Sequence, residues 1–462
     1  MKRILLRGAV VVTMSPNRPD SEHLDILIED GLISKMDPHL EVYADEIVDF
    51  KDRILIPGLI NAHIHSWQAA LRCAGADWTL LEYLANAHAG LSSKYNPKDM
   101  YIAALFCALN QINCGTTTIG DWCHNARTPT YADQTIQGLD DSGIRAVYFN
   151  GTPHRIREAI HPIQEIDRLM RILKNHKLIS VGMAIPGPQY SKLHVAKTDL
   201  INAKDRDIIV SMHQSGGLPG AAWKAVLDAN LIGPHVNIVH GCDLPDEWIR
   251  LFVQAGATFT STPENELSQG HGLPLTGRLL RYGTAPSIGT DTDTVVSGEV
   301  LVAARIALAH QRGQDHQQSL QETGLFSASP TITSKDALSW LTVEGARALG
   351  LADSVGRLEP GMQADIVAID TRNLNLWPAH DPVATALQAN MANIEAVMIA
   401  GRWRKREHTL IDVDTSSLRS KLFDSGQRLL GTLQSPGIVT RLRQKVVREV
   451  LMKKLRKKIE SL

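Results

Sequence analysis

His63-Ile64-His65 places two imidazoles two residues apart at the close of the apolar, β-like run Ile54-Leu55-Ile56-Pro57-Gly58-Leu59-Ile60-Asn61-Ala62. On a strand, residues two apart share a face, so both rings can converge on one point. Two neutral imidazoles meeting at a strand end make half of a metal site. Three more residues end β-like runs: His213 after Ile208–Met212, His240 after Asn237–Val239, and Asp291 after Pro286–Thr290. Any one alone would read as a structural or exposed side chain. Jointly, four histidines and an aspartate at separate strand ends point to a held cation. A divalent ion needs several lone pairs at about 2.0–2.2 Å and one position for water, whose pKa it lowers toward neutrality. Asp291 can ligate and also take a proton from that water, while His240 can hydrogen-bond the nucleophile and stabilise a tetrahedral adduct. The expected cofactor is one divalent metal ion, zinc before iron, since imidazole and carboxylate suit both.

The elements that must position these groups alternate. Candidate strands are Leu55–His63, Thr116–Asp121, Arg145–Asn150, Ile179–Ala184, Asp207–His213, Val236–His240, Ala257–Thr262 and Ala285–Asp291. Candidate helices between them include Pro97–Ile112, Glu158–Asn175, Gly220–Ala229, Asp246–Ala255 and Glu299–Arg312. Eight β-then-α units over about 250 residues fit a (β/α)8 TIM barrel of the α/β class. A doubly wound open sheet is the rival. The barrel is preferred because the chemical residues end several different strands, where a barrel's active site lies.

Both ends of the chain read differently. Asp25–Glu29, the Asp30-Gly31 turn and Leu32-Ile33 form a hairpin pattern. Ala364–Asp370 and Ala396–Ala400 are further strands. Neither terminal piece has enough strands to stand alone, so a small β-sandwich domain built from both termini is expected. The organisation expected is 1–56 with 351–410 as that composite domain, 57–350 as the barrel, and 411–462 as a C-terminal helical segment. Arg441–Leu462 carries a basic face and an apolar stripe of Leu442, Val446, Val450, Leu451, Leu455 and Ile459, read as a terminal helix packed on the protein or on a dimer mate.

Composition narrows the function. Of 462 residues, 48 are basic and 49 acidic, giving a formal net charge of -1, which excludes the electrostatics of a nucleic-acid binder. Five cysteines with no Cys-x-x-Cys pair suit reduced thiols in the cytoplasm. The apolar start is broken at Arg7, so it is not read as a signal peptide, and no apolar run reaches the ~20 residues that cross a bilayer.

The Asp30-Gly31 turn, Pro57-Gly58-Leu59-Ile60-Asn61-Ala62-His63-Ile64-His65, Gly356-Arg357-Leu358-Glu359-Pro360-Gly361 and Ala364-Asp365-Ile366-Val367 together resemble the amidohydrolase superfamily, in its cytosine deaminase and chlorohydrolase-like branch. The similarity runs to about residue 405. It implies a (β/α)8 barrel with a β-sandwich from both termini. It implies His63, His65, His213 and Asp291 as ligands of a single metal, with His240 catalytic. Ala184-Ile185-Pro186 stands at the end of the fourth strand, where the two-metal form of the superfamily carries a carbamylated lysine.

One departure bears on the reaction. Deaminases of this branch place a proton-shuttling glutamate three residues after the third histidine. Here that place in His213-Gln214-Ser215-Gly216 is Gly216, and glycine cannot transfer a proton. Three routes remain open. Glu264, Glu266 or His271, after the seventh strand, takes over the role; the leaving group needs no proton; or an amide or amidine is opened with Asp291 and His240 moving the protons. The expected reaction is hydrolysis of a carbon–nitrogen, non-peptide bond in a small cyclic molecule, with deamination first and loss of another leaving group or cyclic amide opening second. A non-catalytic scaffold is the reading from another class, disfavoured because a scaffold gains nothing from five costly polar groups at one mouth. Gln68, His124, His154 and Gln189 follow strand ends and are weaker candidates for substrate contact, as are Trp67, Asp121, Trp122 and Tyr190. Arg72 is read as shaping a loop and Asp293 as supporting Asp291 or starting a helix. The expected partners are a small nitrogen heterocycle as substrate and a second copy of the chain in a homodimer or larger assembly, with no nucleic acid and no membrane.

Overall fold

The Asp30-Gly31 turn folds β2 (Glu22–Glu29) back on β3 (Leu32–Asp37), and both turn residues have positive φ, 51° and 86°, as a two-residue type I′ connection requires. This computed structural model describes residues 2–151, 158–215, 219–434, 445–446, 449–450 and 453. Ahead of the turn lies β1 (Arg3–Val11), and after it come β4 (Glu46–Asp49) and β5 (Arg53–Pro57), both parallel to β1.

The expected single strand Leu55–His63 is two strands. β5 ends at Pro57, and β6 (Leu59–Ile64) begins after Gly58 in a different sheet. A Cβ on Gly58 would lie 2.0 Å from the Thr117 hydroxyl oxygen, so only glycine lets the chain cross there. Period-two alternation makes β5 serve two cores at once: Leu55 joins the terminal sheet's apolar cluster, while Ile54 and Ile56 face the barrel's. Each such fully buried side chain is worth about 1.5–3 kcal/mol.

From β6 the chain builds β7 (Thr116–Cys123), β8 (Arg145–Gly151), β9 (Ile179–Ala184), β10 (Val210–Gln214), β11 (Val236–His240), β12 (Thr258–Ser261) and β13 (Ser287–Ile288). Among the described residues these form one parallel sheet of eight strands in sequence order. A parallel bridge between Ile64 and Asp291 brings its two edges together, as a TIM barrel requires. β13 is much shorter than the expected Ala285–Asp291. The chain leaves the ladder at Gly289, where a Cβ would sit 2.5 Å from the His63 carbonyl oxygen. Helices cover the barrel. Pro97–Asn113, Ala221–Asp228 and Asp246–Gln254 lie within a residue of expectation. Glu158–Asn175 shortens to Ile163–Leu173 behind Pro162, and the helix expected to stop at Arg312 runs from Val300 to Thr323 on polar residues before left-handed Gly324.

β14 (Ile366–Asp370) returns antiparallel to β5, followed by β15 (Ile394–Ile399), β16 (Arg402–Arg406) and β17 (Thr409–Leu410). Residues from both ends of the chain, among them Ile4, Ile26, Ile366 and Met398, share one apolar cluster. A buried bidentate pair of Arg145 with Asp365, 2.9 Å at each contact, ties the barrel to this sheet. The helix Thr415–Gln434 packs against the segment that follows His65 and against Pro97–Asn113. Of the basic stripe beyond it, Leu442, Leu451, Leu455 and Ile459 lie outside the described residues. Among the described residues no helix is long and apolar enough to cross a membrane, and all five cysteines are free.

Candidate active site

His63 and His65 leave the end of β6, His213 belongs to β10, and Asp291 lies just past β13. One ligand atom from each lies within 4.8 Å of every other. His63 Nε2 is 3.2 Å from His213 Nε2 and 3.3 Å from Asp291 Oδ1, and His65 Nε2 is 3.1 Å from that same oxygen. The backbone fixes this meeting: Asp291 N–H donates to the His63 carbonyl at 3.0 Å, and His65 N–H donates to the Asp291 carbonyl at 2.7 Å.

The donor set fits a cation. His65 Nδ1–H donates to the Trp122 carbonyl at 2.6 Å, which leaves Nε2 with its lone pair turned toward Asp291, an acceptor facing an acceptor. Burial foremost pushes His63 down to about 3, and burial with the neighbouring imidazoles holds His213 well below the ordinary histidine value. Both are neutral and able to ligate. Burial alone would raise Asp291, but the imidazoles gathered around it outweigh burial and keep the carboxylate ionised. Two ligands about 2.0–2.1 Å from a tetrahedral centre lie about 3.3 Å apart, close to the separations found.

His240 sits beside this group, its ring centroid 5.5 Å from that of His213 and 6.0 Å from that of His63. Its Nδ1 faces Glu266 Oε1 at 3.2 Å, and that oxygen also accepts the Thr262 N–H at 2.8 Å. Burial works against charge on His240, yet Glu266 and Asp291 outweigh it and raise its pKa. His240 and Asp291 both hold left-handed backbone, φ 67° and 61°. That conformation costs a non-glycine residue of order 1 kcal/mol or more and gathers at functional sites.

The other expected residues occupy varied places. Glu266 is fully buried behind His240. Glu264, two residues earlier on the short helix Pro263–Gln269, is raised by burial first and then by Glu299. His271 packs its ring 4.6 Å from that of His240 and is lowered to about 3 by burial and that neighbour. The His124 ring lies 4.1 Å from that of His65, and its Nδ1 accepts from Trp67 Nε1 at 3.3 Å. Gln68 is buried in a network: its amide donates to Tyr83 at 2.8 Å and its carbonyl accepts from Tyr83 and Thr292. Gln189 is half-buried on the turn Gly187–Tyr190 after β9. Asp121 accepts twice from Ser66 and is raised by burial to about 6, and Arg72 pairs with Asp293. His154 and Gly216 lie outside the described residues.

Two residues at this mouth were not anticipated. The Asn265 amide donates to Asp291 Oδ2, and its one signal in the sequence was its position between two candidate glutamates. His88 lies in a π-helical stretch, Leu84–Leu91, with its ring 4.6 Å from that of His124 and 5.8 Å from that of Trp67. An alanine-rich run gives no hint of that register, although π turns recur at functional sites.

Comparison with known proteins agrees with this geometry. The profile described as the Amidohydrolase family matches residues 54–404. A 5-methylthioadenosine/S-adenosylhomocysteine deaminase of Caldicellulosiruptor saccharolyticus is 24% identical over 90% of this chain and 96% of its own length. A 5'-deoxyadenosine deaminase of Methanosarcina mazei is 22% identical over 94% of this chain and 100% of its own length. Among solved structures, an adenosine deaminase from Xanthomonas campestris with bound zinc superposes with TM-score 0.78 at 20% identity, covering 93% of this chain and 98% of the other. Atrazine chlorohydrolase from Arthrobacter aurescens TC1, complexed with zinc, gives 0.80 at 20% identity over 92% and 100%. The chain belongs to the amidohydrolase family and is a hydrolase of carbon–nitrogen bonds other than peptide bonds.

Proposed function

We propose that this enzyme hydrolytically deaminates a small, nucleoside-like nitrogen heterocycle, with His63, His65, His213 and Asp291 holding one divalent cation, zinc in the first instance. The observation that carries the reading is the meeting of four ligand atoms within 4.8 Å, with His240 and Glu266 paired beside them. The cation, when bound, makes water nucleophilic near neutral pH. The protons are the chain's own work. With Nδ1–H held by Glu266, His240 takes the attacking water's proton at Nε2 and returns it to the departing nitrogen. Glu266 stabilises the imidazolium in between, so the pair supplies the proton traffic that Gly216 cannot. Asp291, kept ionised and oriented by Asn265, stabilises developing positive charge.

Around this centre, His271, His124 and Gln189 contact the substrate, and Gln68 and Glu264 support the walls. The reading assigns 1–56 with 351–410 to the composite domain and 57–350 to the catalytic barrel. It places the enzyme in the cytoplasm, as a homodimer or larger. The names of the deaminase relatives support an adenine-type ring. The glycine at position 216 favours one second reading, loss of a leaving group that needs no proton. Metal analysis and an ammonia-release screen over adenine nucleosides, purines, pterins, pyrimidines and triazines, with parallel detection of chloride, test both. Ammonia release with about one zinc per chain is expected. Zinc-loaded protein that frees no ammonia from any of them would overturn deamination, and chloride release would install the second reading.

A further inference from the structure

The segment Ser66–Lys94 carries Trp67, Gln68, Tyr83 and His88 to the mouth, yet it is built of 3-10 and π turns with one short α turn. Hydrogen bonds in such turns are local and weak, so the segment's position is set by what it leans on. On its inner side it leans on the loop after Asp291. Gln68 accepts from Thr292, and Cys73 N–H and Gly75 N–H donate to the carbonyls of Asp293 and Thr294 at 2.9 and 3.0 Å. On its outer side it leans on the helix Thr415–Gln434.

That outer contact is closely fitted. A Cβ on Gly426 would lie 2.5 Å from the Ala70 carbonyl oxygen, so the helix backbone rests directly on the turn that carries Trp67. Leu429, fully buried, joins the barrel's apolar cluster. Ser425 Oγ donates to Asp99 Oδ1 at 2.7 Å, Arg428 pairs with the other Asp99 oxygen, and Arg428 Nη1 donates to the Lys94 carbonyl at 3.1 Å. Asp99 has a second duty. It accepts the Asn96 N–H at 2.7 Å in the capping box that starts Pro97–Asn113. Tyr95 is buried, with its ring 5.0 Å from that of Trp67, whose indole N–H reaches His124. A chain of three contacts, Arg428 on Lys94 and Asp99, Tyr95 on Trp67 and Trp67 on His124, therefore joins the C-terminal helix to an imidazole that touches His65.

We propose that Arg428, Ser425 and Gly426 are positioning residues for the substrate-facing wall, acting through Asp99 and Ala70 on Trp67 and His88. The proposal rests on the reading that this mouth binds a heterocycle. The helix contributes no group to the reaction. It sets the place of the buried Trp67 and His88 rings that back His124, and through them the wall that meets the substrate, so its loss weakens substrate binding and spares the metal group and the proton traffic.

The test uses the full chain with Arg428→Ala and the conservative Arg428→Lys. Hydrogen exchange over residues 66–95 is compared with exchange over β10 and β11, alongside zinc content, KM and kcat. In Arg428→Ala, exchange over 66–95 should accelerate about tenfold or more, with the barrel strands and zinc content unchanged. KM should rise about 5–20-fold with kcat within about twofold, and Arg428→Lys should recover most of that loss. Unchanged exchange over 66–95 overturns the proposal, as does acceleration spread equally over the barrel strands, since a merely stabilising helix would give that pattern. If no heterocycle releases ammonia, the proposed reaction falls on its own, and the exchange rates alone uphold or overturn the role of the helix.

Discussion

Asp291 and Asp199 are both fully buried carboxylates, and their surroundings drive them in opposite directions. Asp291 lies among imidazoles at the barrel mouth and is held well below the ordinary carboxylate range despite the burial that opposes it. Asp199, on the covering helix Leu193–Asp205, is raised to about 7 by burial, which the single N–H donated by His161 at 2.9 Å only partly offsets. Among the described residues its second oxygen has no partner, and neither do Asn150 Nδ2 and His161 Nδ1. Burial alone therefore says little about what a carboxylate does. Convergent neighbours make one a charged ligand, and their absence leaves the other a cost to the fold.

Replacing Asp291 by Asn attacks the comparison hardest. The amide keeps the shape and loses the charge, so kcat should fall by about 10³-fold or more with an unchanged circular dichroism spectrum. A variant with wild-type turnover would show that the charged carboxylate is not needed. Glu266→Gln comes next, with kcat lower by about 10²-fold and zinc retained, because the amide holds His240 but cannot stabilise its imidazolium. Glu264→Gln should change kcat by less than about threefold, since burial and repulsion from Glu299, not the imidazole group, act on that carboxyl. Equal losses in both would remove the distinction drawn between them.

Asp199→Asn is the smallest effect and acts on stability rather than rate. A carboxyl whose pKa in the folded protein, about 7, lies above the ordinary aspartate value of 3.8 favours the folded state while protonated. That contribution is lost as pH rises from about 4 to about 7 and is absent above. The ionised group therefore penalises the native protein at pH 8, by about 4 kcal/mol in a rigid surrounding and by about 1–3 kcal/mol after local relaxation. Urea unfolding at pH 8 should find the asparagine variant more stable by about that smaller amount, and at pH 4 the two proteins should converge. Equal stability at both values would mean that Asp199 is better solvated than its surroundings imply.

What could be read from the chain follows from how local each signal was. The eight strands were legible because short β-branched runs, most of them ending in a polar residue or histidine, alternate with amphipathic stretches, and six of them lie close to where the pattern put them. β5 and β6 fused into one expected strand because Pro57-Gly58 sits inside an unbroken apolar run, and only the clash with Thr117 shows that the sheet changes there. β13 was over-read because its closing residues pair with His63 and His65 through a single bridge rather than a ladder. The pairing of Glu266 with His240 was out of reach. It depends on a seven-residue helix turning one of two neighbouring glutamates inward. Asn265 and His88 depend likewise on tertiary fit, with no periodic signal to announce them.

The left-handed backbone at His240 and Asp291 has a bearing on how this enzyme would respond to selection. Glycine would relax both positions, by about 1 kcal/mol or more at each. A library screened only for survival at high temperature would drift toward glycine there and discard turnover as it went. Robustness and catalysis compete at these two codons, and engineering for heat tolerance has to hold both fixed.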